Sequence, residues 1–412
     1  MLGGLTVGGL AVALAFLSDE AQAIFRHVRA DFWWSPYLIT PVGLAFAAWF
    51  TKRYAPSAAG SGIPQVIAAR QLAAPTEREA LVSVKTALFK IALLLFGLLC
   101  GASTGREGPT VQVGASTMFA LGRLQPHRHA ALLLAGSAAG VAAAFNAPLA
   151  GIVFGIEEMS RSFEQRTSGL VIGTVVAAGL TSLAIVGDYT YFGTTPDTLP
   201  LGRGWIAVPI AGVVCGLAGG MFSRILLEAG RGLPGLPGRL IKDYPVAFAF
   251  VCGLVIVLCA MLGNVDIYGT GYEQAKAILR GEELSLAFAP LKLIATALSS
   301  ISGIPGGLFS PSLAVGAGIA RDLTVVLPDV SIGALAVLCM AAYLAGVVQA
   351  PITSFVIVSE MTENHALVIP IMLASLIAAA TSKTICPEGV YHALSKRFLV
   401  GKELDESSVV EE

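Results

Sequence analysis

Charge is scarce in this chain. Only 13% of its 412 residues are Asp, Glu, Lys or Arg, about half the ~25% usual in soluble domains. The net charge of −1 provides no basic surface for nucleic acid. The six cysteines, Cys100, Cys215, Cys252, Cys259, Cys339 and Cys386, lack paired metal-ligand spacing and read as small buried hydrophobes. The five histidines fall near the ends of apolar stretches, and no aspartate lies deep inside one. No Ser/His, paired-Asp or HExxH arrangement is visible, so an intramembrane hydrolase or other enzyme is not expected, nor a metal or cofactor.

What is present in excess is hydrocarbon and glycine: 55% of residues are hydrophobic and 46 are Gly. That combination predicts an all-α polytopic membrane protein whose helices pack through small residues or break inside the protein. Apolar helical stretches recur at 5–28, 37–51, 84–102, 107–123, 129–145, 148–163, 168–187, 205–228, 245–262, 284–300, 309–326, 331–348, 351–361 and 366–383. Crossing ~30 Å of hydrocarbon takes about 20 residues. Many stretches are shorter, so several helices are expected to be tilted, re-entrant or broken. Leu5–Phe16 followed by Ala21-Gln22-Ala23 has the outline of a signal peptide but no basic n-region, and reads as the first membrane helix.

Arg224, Arg231, Arg239 and Lys242 crowd one connection, and Lys396, Arg397 and Lys402 follow the last apolar stretch. The positive-inside rule places both in the cytoplasm and the uncharged-to-acidic loop Asp188–Leu201 outside. Residues 397–412 form a short tail, with no appended cytoplasmic domain expected.

The chain repeats itself. Gly105-x-x-x-Pro109-Thr-x-x-Val113-Gly114-Ala115 returns as Gly307-x-x-x-Pro311-Ser-x-x-Val315-Gly316-Ala317, 202 positions on (307 − 105). Ala147-Pro148 with Glu157 returns as Ala350-Pro351 with Glu360 at 203 (351 − 148), and Gly60-Ser61-Gly62 as Gly269-Thr270-Gly271 at 209 (269 − 60). Three matches in one order divide the chain into related halves, 1–195 and 196–396. The loop orientations favour an inverted relation, which in broken-helix transporters puts the substrate near the midplane.

Gly60-Ser-Gly-Ile-Pro64, Gly105-Arg-Glu-Gly-Pro109 and Gly303 to Pro311 share one form: glycines that bare the backbone, then a proline in the first helical turn, where its missing N–H costs nothing. Free N–H groups at such helix starts carry about +0.5 charge and hold an anion without a full cation. Partial charges also let a permeant ion leave. Within the second motif Arg106 and Glu107 put full charges in an apolar run, where ionisable groups are costly and functional by default. Glu157 aligns with Glu360, which predicts a structural pair bonded to buried backbone or to arginine. Glu158 aligns with Met361, and reads either as a special group or as a solvated carboxylate at a helix end.

Gly60–Pro64, Gly105–Pro109, Gly307-Leu308-Phe309-Ser310-Pro311 and the late Tyr391 together resemble the signature set of the CLC chloride channel and transporter family, in order and along nearly the whole chain. The resemblance implies a homodimer in the lipid bilayer, with one pore per subunit and two inverted halves. It implies that Ser61 and Tyr391 contact a central chloride through neutral hydroxyls, and that the backbone N–H groups of Leu308 and Phe309 complete that site. Gly62 and Ile63 belong to the Ser61 turn, and the amides of Gly105, Arg106 and Gly108 line the outer site. Glu107 resembles the gating glutamate, which mimics chloride when charged and swings away when protonated; a nearby anion favours the protonated form. Glu158 resembles the internal proton-transfer residue of the exchangers. Ser61 and Pro109 favour chloride over nitrate or fluoride. The expected function is exchange of chloride for protons across a bacterial inner membrane, the alternative being a passive chloride channel. The stretches 168–187 and 366–383 are expected to form the dimer interface.

Overall fold

The computed structural model describes residues 1–123, 125–160, 165–187, 190–199, 202–232 and 235–404, and its named elements are all helical. The first half contains α1 (Leu2–Asp31), α2 (Ser35–Tyr54), α3 (Ile63–Gln71), α4 (Pro75–Leu81), α5 (Val84–Leu99), α6 (Glu107–Leu121), α7 (His129–Phe145), α8 (Pro148–Phe154) and α9 (Gln165–Val186). The second contains α10 (Ala207–Arg231), α11 (Gly235–Asp243), α12 (Pro245–Gly263), α13 (Tyr272–Leu279), α14 (Phe288–Ile301), α15 (Phe309–Leu323), α16 (Ile332–Val348), α17 (Pro351–Thr362), α18 (Val368–Ile385) and α19 (Val390–Leu399). The apolar pattern located the long helices. It missed α3, α4, α11, α13 and α19, which are short and partly polar.

Among the described residues, six helical stretches are long and apolar enough to cross a membrane, 2–31, 75–99, 169–186, 204–231, 245–263 and 365–385. Others stop short. With 15 residues each, α6 and α15 reach only about 22 Å at 1.5 Å per residue. Their ends lie inside the protein, as the fully buried Glu107 and nearly buried Phe309 at their starts require.

Apart from α4, α11 and α19, the halves match helix for helix, and the same contacts recur. Helix α6 packs on α7 and α15 on α16; α1 packs on α9 and α10 on α18. Small residues set these distances. A Cβ on Gly114 would sit 2.3 Å from the Gly136 carbonyl, and one on Gly316, its repeat partner, 2.5 Å from the Cys339 carbonyl. Either substitution would force the helices apart.

The halves also grip one another reciprocally. Gly105 and Gly307 exchange both backbone hydrogen bonds, 2.8 and 2.7 Å, in an isolated antiparallel bridge. Glu157 accepts from the Ile352 and Thr353 amides at the start of α17, at 3.1 and 2.6 Å. Glu360 accepts from the Leu149 and Ala150 amides at the start of α8, at 3.1 and 2.7 Å. Each carboxylate therefore caps the other half's helix, where backbone donors lack internal partners. Of the two expected partners for this pair, the structure selects backbone.

Candidate anion site

Two left-handed glycines, Gly60 (φ 61°) and Gly62 (φ 97°), turn the chain into α3. They present Ser61 on the loop between them. The loop is held from two sides. Gly60 N–H donates to Ile304 O and Gly306 N–H to Gly60 O, at 3.1 and 3.0 Å, tying it to the second half's glycine loop. The fully buried Lys90 of α5 donates to Ala58 O and Gly60 O at 2.7 and 2.8 Å. An ammonium with carbonyl partners is satisfied where a bare buried charge would not be.

Helix α6 begins against this loop because Gly108 has no side chain: a Cβ there would meet Ser61 Oγ at 2.3 Å. The preceding residue, Glu107, reaches across the two-fold. Its carboxylate accepts from the Ser310 hydroxyl at 2.5 Å and from the Ser310 N–H at 3.3 Å, in the first turn of α15. It thus sits at the start of the opposite helix, where exposed amides favour an anion. This differs from a carboxylate capping its own helix.

The Arg106 guanidinium does not share that space. It turns to α1, bonding Asp19 at 2.7 Å and Ala15 O at 2.6 Å, and it touches the Tyr191 phenol at 3.4 Å. Only its backbone remains for the site. Leu308 stands at the N-cap of α15 and Phe309 in its first position.

Tyr391, in the first turn of α19, is fully buried, and Ser61 is largely buried. Their hydroxyls lie beside each other, and neither makes a well-formed hydrogen bond to a described protein group. Buried hydroxyls are ordinarily satisfied, so two such groups together mark a place for a small polar species. A cavity of about 860 Å³ leads away from them, lined by Ser61, Leu308 and Tyr391 at its inner end. Arg231, Arg239, Lys242 and Arg397 line it toward the basic loops. Ile63 is fully buried at the start of α3. The Phe309 ring packs 5.9 to 6.1 Å from the rings of Phe145, Phe154 and Tyr391, making an apolar wall beside the site.

Glu158 lies near Tyr391, on a π-helical turn, Gly155–Ser160, that continues α8 within the expected 148–163 helix. Residues 161–163 of that expectation lie outside the described residues. Such turns insert an extra residue and often mark functional places. This one sends Glu157 to the α17 cap and leaves Glu158 only 4% exposed, which overturns the reading of Glu158 as a solvated helix end. His392 meets Glu158 twice, with Nε2 2.8 Å from its backbone oxygen and 3.7 Å from its carboxylate. Met159 O accepts from Arg70.

Sequence reasoning missed Lys90 and its repeat partner Lys292, 202 positions on (292 − 90). Lys292 is likewise fully buried and donates to Ile267 O, Gly269 O and Ser103 Oγ at 3.0, 2.8 and 2.9 Å. Both stand in apolar helices at the repeat offset, Lys90 together with Lys85 on α5 and Lys292 alone on α14, and that offset was the available signal. Ser310, Tyr191 and His392 had none, since each acts on a residue more than eighty positions away.

Short helices starting at a buried centre, a carboxylate on the opposite helix start and paired hydroxyls beside it define a multi-pass membrane protein with a candidate anion site. The model of the voltage gated chloride channel family matches residues 43–383, and the chain belongs to that family. It is 31% identical over 407 residues to the H(+)/Cl(-) exchange transporters ClcA of Vibrio vulnificus strains YJ016 and CMCP6, covering 92% of this chain and 83% of each relative. Its fold matches that of a slow cyanobacterial Cl-/H+ antiporter with a TM-score of 0.81 at 25% identity, over 97% of both chains. A CLC-type fluoride/proton antiporter matches with a TM-score of 0.78 at 22% identity, over 95% of this chain and 96% of that one.

Proposed function

We propose that this chain is a secondary active transporter that exchanges chloride for protons. The observation that carries the proposal is the Glu107 carboxylate held by Ser310 on α15. A charged carboxylate competes with chloride for such a place; a protonated one has no charge to hold it there and yields to the ion. Chloride approaches through the basic cavity, passes between Ser61 and Tyr391, and meets the amides of Leu308 and Phe309. It then reaches those of Gly105, Arg106 and Gly108. Gly62 and Ile63 hold Ser61 in place.

Protons leave this path below Glu107 and pass to Glu158, beyond the rings of Phe309, Phe154 and Tyr391. The burial of Glu158 beside His392 favours exchange over passive conduction, and the curated relatives are named as exchangers. The chain is a transporter without enzymatic activity, divided into halves 1–195 and 196–396. Exposed apolar residues on α9, Ile172, Val176, Leu180 and Leu183, and on α18, Ile369, Leu373 and Leu376, recur at helical spacing. They form the contact of a homodimer in the bilayer.

Reconstituted protein under an imposed chloride gradient is expected to move protons uphill. Chloride flux without proton movement would assign the chain to passive conduction.

A further inference from the structure

The two-fold relation gives Ser310 a counterpart, Gly108, 202 positions earlier (310 − 108). The contrast between them is chemical. Gly108 carries no side chain because Ser61 occupies that space. At the equivalent place in the other half the chain supplies a nearly buried hydroxyl aimed at Glu107. The carboxylate is then held twice: Oε1 by the hydroxyl at 2.5 Å and Oε2 by the Ser310 N–H at 3.3 Å. Two donors spaced for two oxygens suit a carboxylate better than a spherical halide. Hydrogen bonds to an ionised acceptor are roughly twice as strong as neutral ones.

We propose that Ser310 is a positioning residue that latches the ionised gate, so that opening requires more acid than a backbone-only site would demand. This rests on the reading of Glu107 as the gate. The charged and titratable groups bearing on Glu107 are Arg106 at the N-cap of α6, with Asp19 of α1 behind it, Tyr191 from the segment that follows α9, and Tyr391 of α19. Arg106 is already engaged with Asp19, and Ser310 itself is neutral. Tyr191 stands beside both Ser310 and Arg106, closing the latch from the side of the connecting segment. Removing the hydroxyl takes a donor from both forms of the carboxyl group, but the bond to the ionised form is the stronger, so the ionised gate is held less firmly.

The test is chloride efflux from liposomes as a function of pH, read without reference to proton coupling, so that failure of the exchange reading and failure of the latch are separable. Ser310→Ala is expected to move the midpoint of activation up by roughly one pH unit, the equivalent of a tenfold change in protonation at fixed pH. Ser310→Thr, which keeps the hydroxyl, is expected to hold the wild-type midpoint. In a Glu107→Gln background Ser310→Ala should shift nothing, because the latch has lost its target. Flux that falls equally at every pH would overturn the proposal, as would a shift that persists without Glu107. Should Ser310→Ala fail to fold, Ser310→Cys, a weak donor, must give a smaller shift in the same direction, and an unmoved midpoint there would equally overturn it.

Discussion

Ser61 and Thr270 occupy equivalent places in the two halves, each between left-handed glycines, Gly60 and Gly62 or Gly269 and Gly271, ahead of a short helix. Behind each stands a buried lysine bonded to the first glycine's carbonyl, Lys90 at 2.8 Å and Lys292 at 2.8 Å. The scaffolds agree; the ends differ. The Ser61 hydroxyl faces Tyr391 and a cavity without a described protein partner. Thr270 is stopped: Gln22 Oε1 of α1 accepts from its N–H at 2.8 Å and its hydroxyl at 3.1 Å. The same contrast marks α6 and α15, where the repeat counterpart of Glu107 is the uncharged Phe309 (309 − 107 = 202). The inverted repeat supplies two like frames, and single side chains decide which is left open and which is sealed.

The largest effect is expected where the halves diverge most. Glu158, whose counterpart is Met361, should abolish proton flux when changed to Gln while chloride flux continues. Unchanged coupling in the same vesicle assay would reduce Glu158 to a structural role. Next come the two lysines. Lys90→Met and Lys292→Met each leave buried carbonyls unpaired, and each should lower stability by about 3 kcal/mol, measured by unfolding in detergent. The comparison demands more than equal losses: only Lys90→Met should weaken bromide occupancy at Ser61, since Lys292 supports the sealed frame. Equal loss of occupancy would break the distinction. The smallest effect belongs to Gln22→Ala. It removes one neutral acceptor beside a cavity of about 190 Å³ and should cost about 1 kcal/mol with chloride transport intact. Lost transport would show that the Thr270 frame also carries ions.

Much of this contrast was legible in the residues. The repeat offset located α6 against α15, and the Gly-x-Gly and Gly-Pro spacings located the turns that start α3, α6 and α15. Full charges in an apolar run drew attention to Glu107. What the chain order could not show is which side chain closes each turn. Gln22 lies 248 positions from Thr270, and Ser310 lies 203 from Glu107, so neither contact leaves a local pattern. Arg106 illustrates the reverse: adjacent to Glu107 in sequence, it belongs in space to α1. Hydropathy also passed over the π-helical turn at Gly155–Ser160, because one extra residue in a turn alters direction without altering composition.

The central claim is that one half's carboxylate imitates an anion on the other half's helix. Glu107→Gln tests it most directly, by measuring chloride and proton fluxes together in reconstituted vesicles. The amide keeps the size of the side chain and removes its charge. Chloride flux should persist or rise while proton coupling disappears. Coupled proton movement retained in Glu107→Gln would contradict the account.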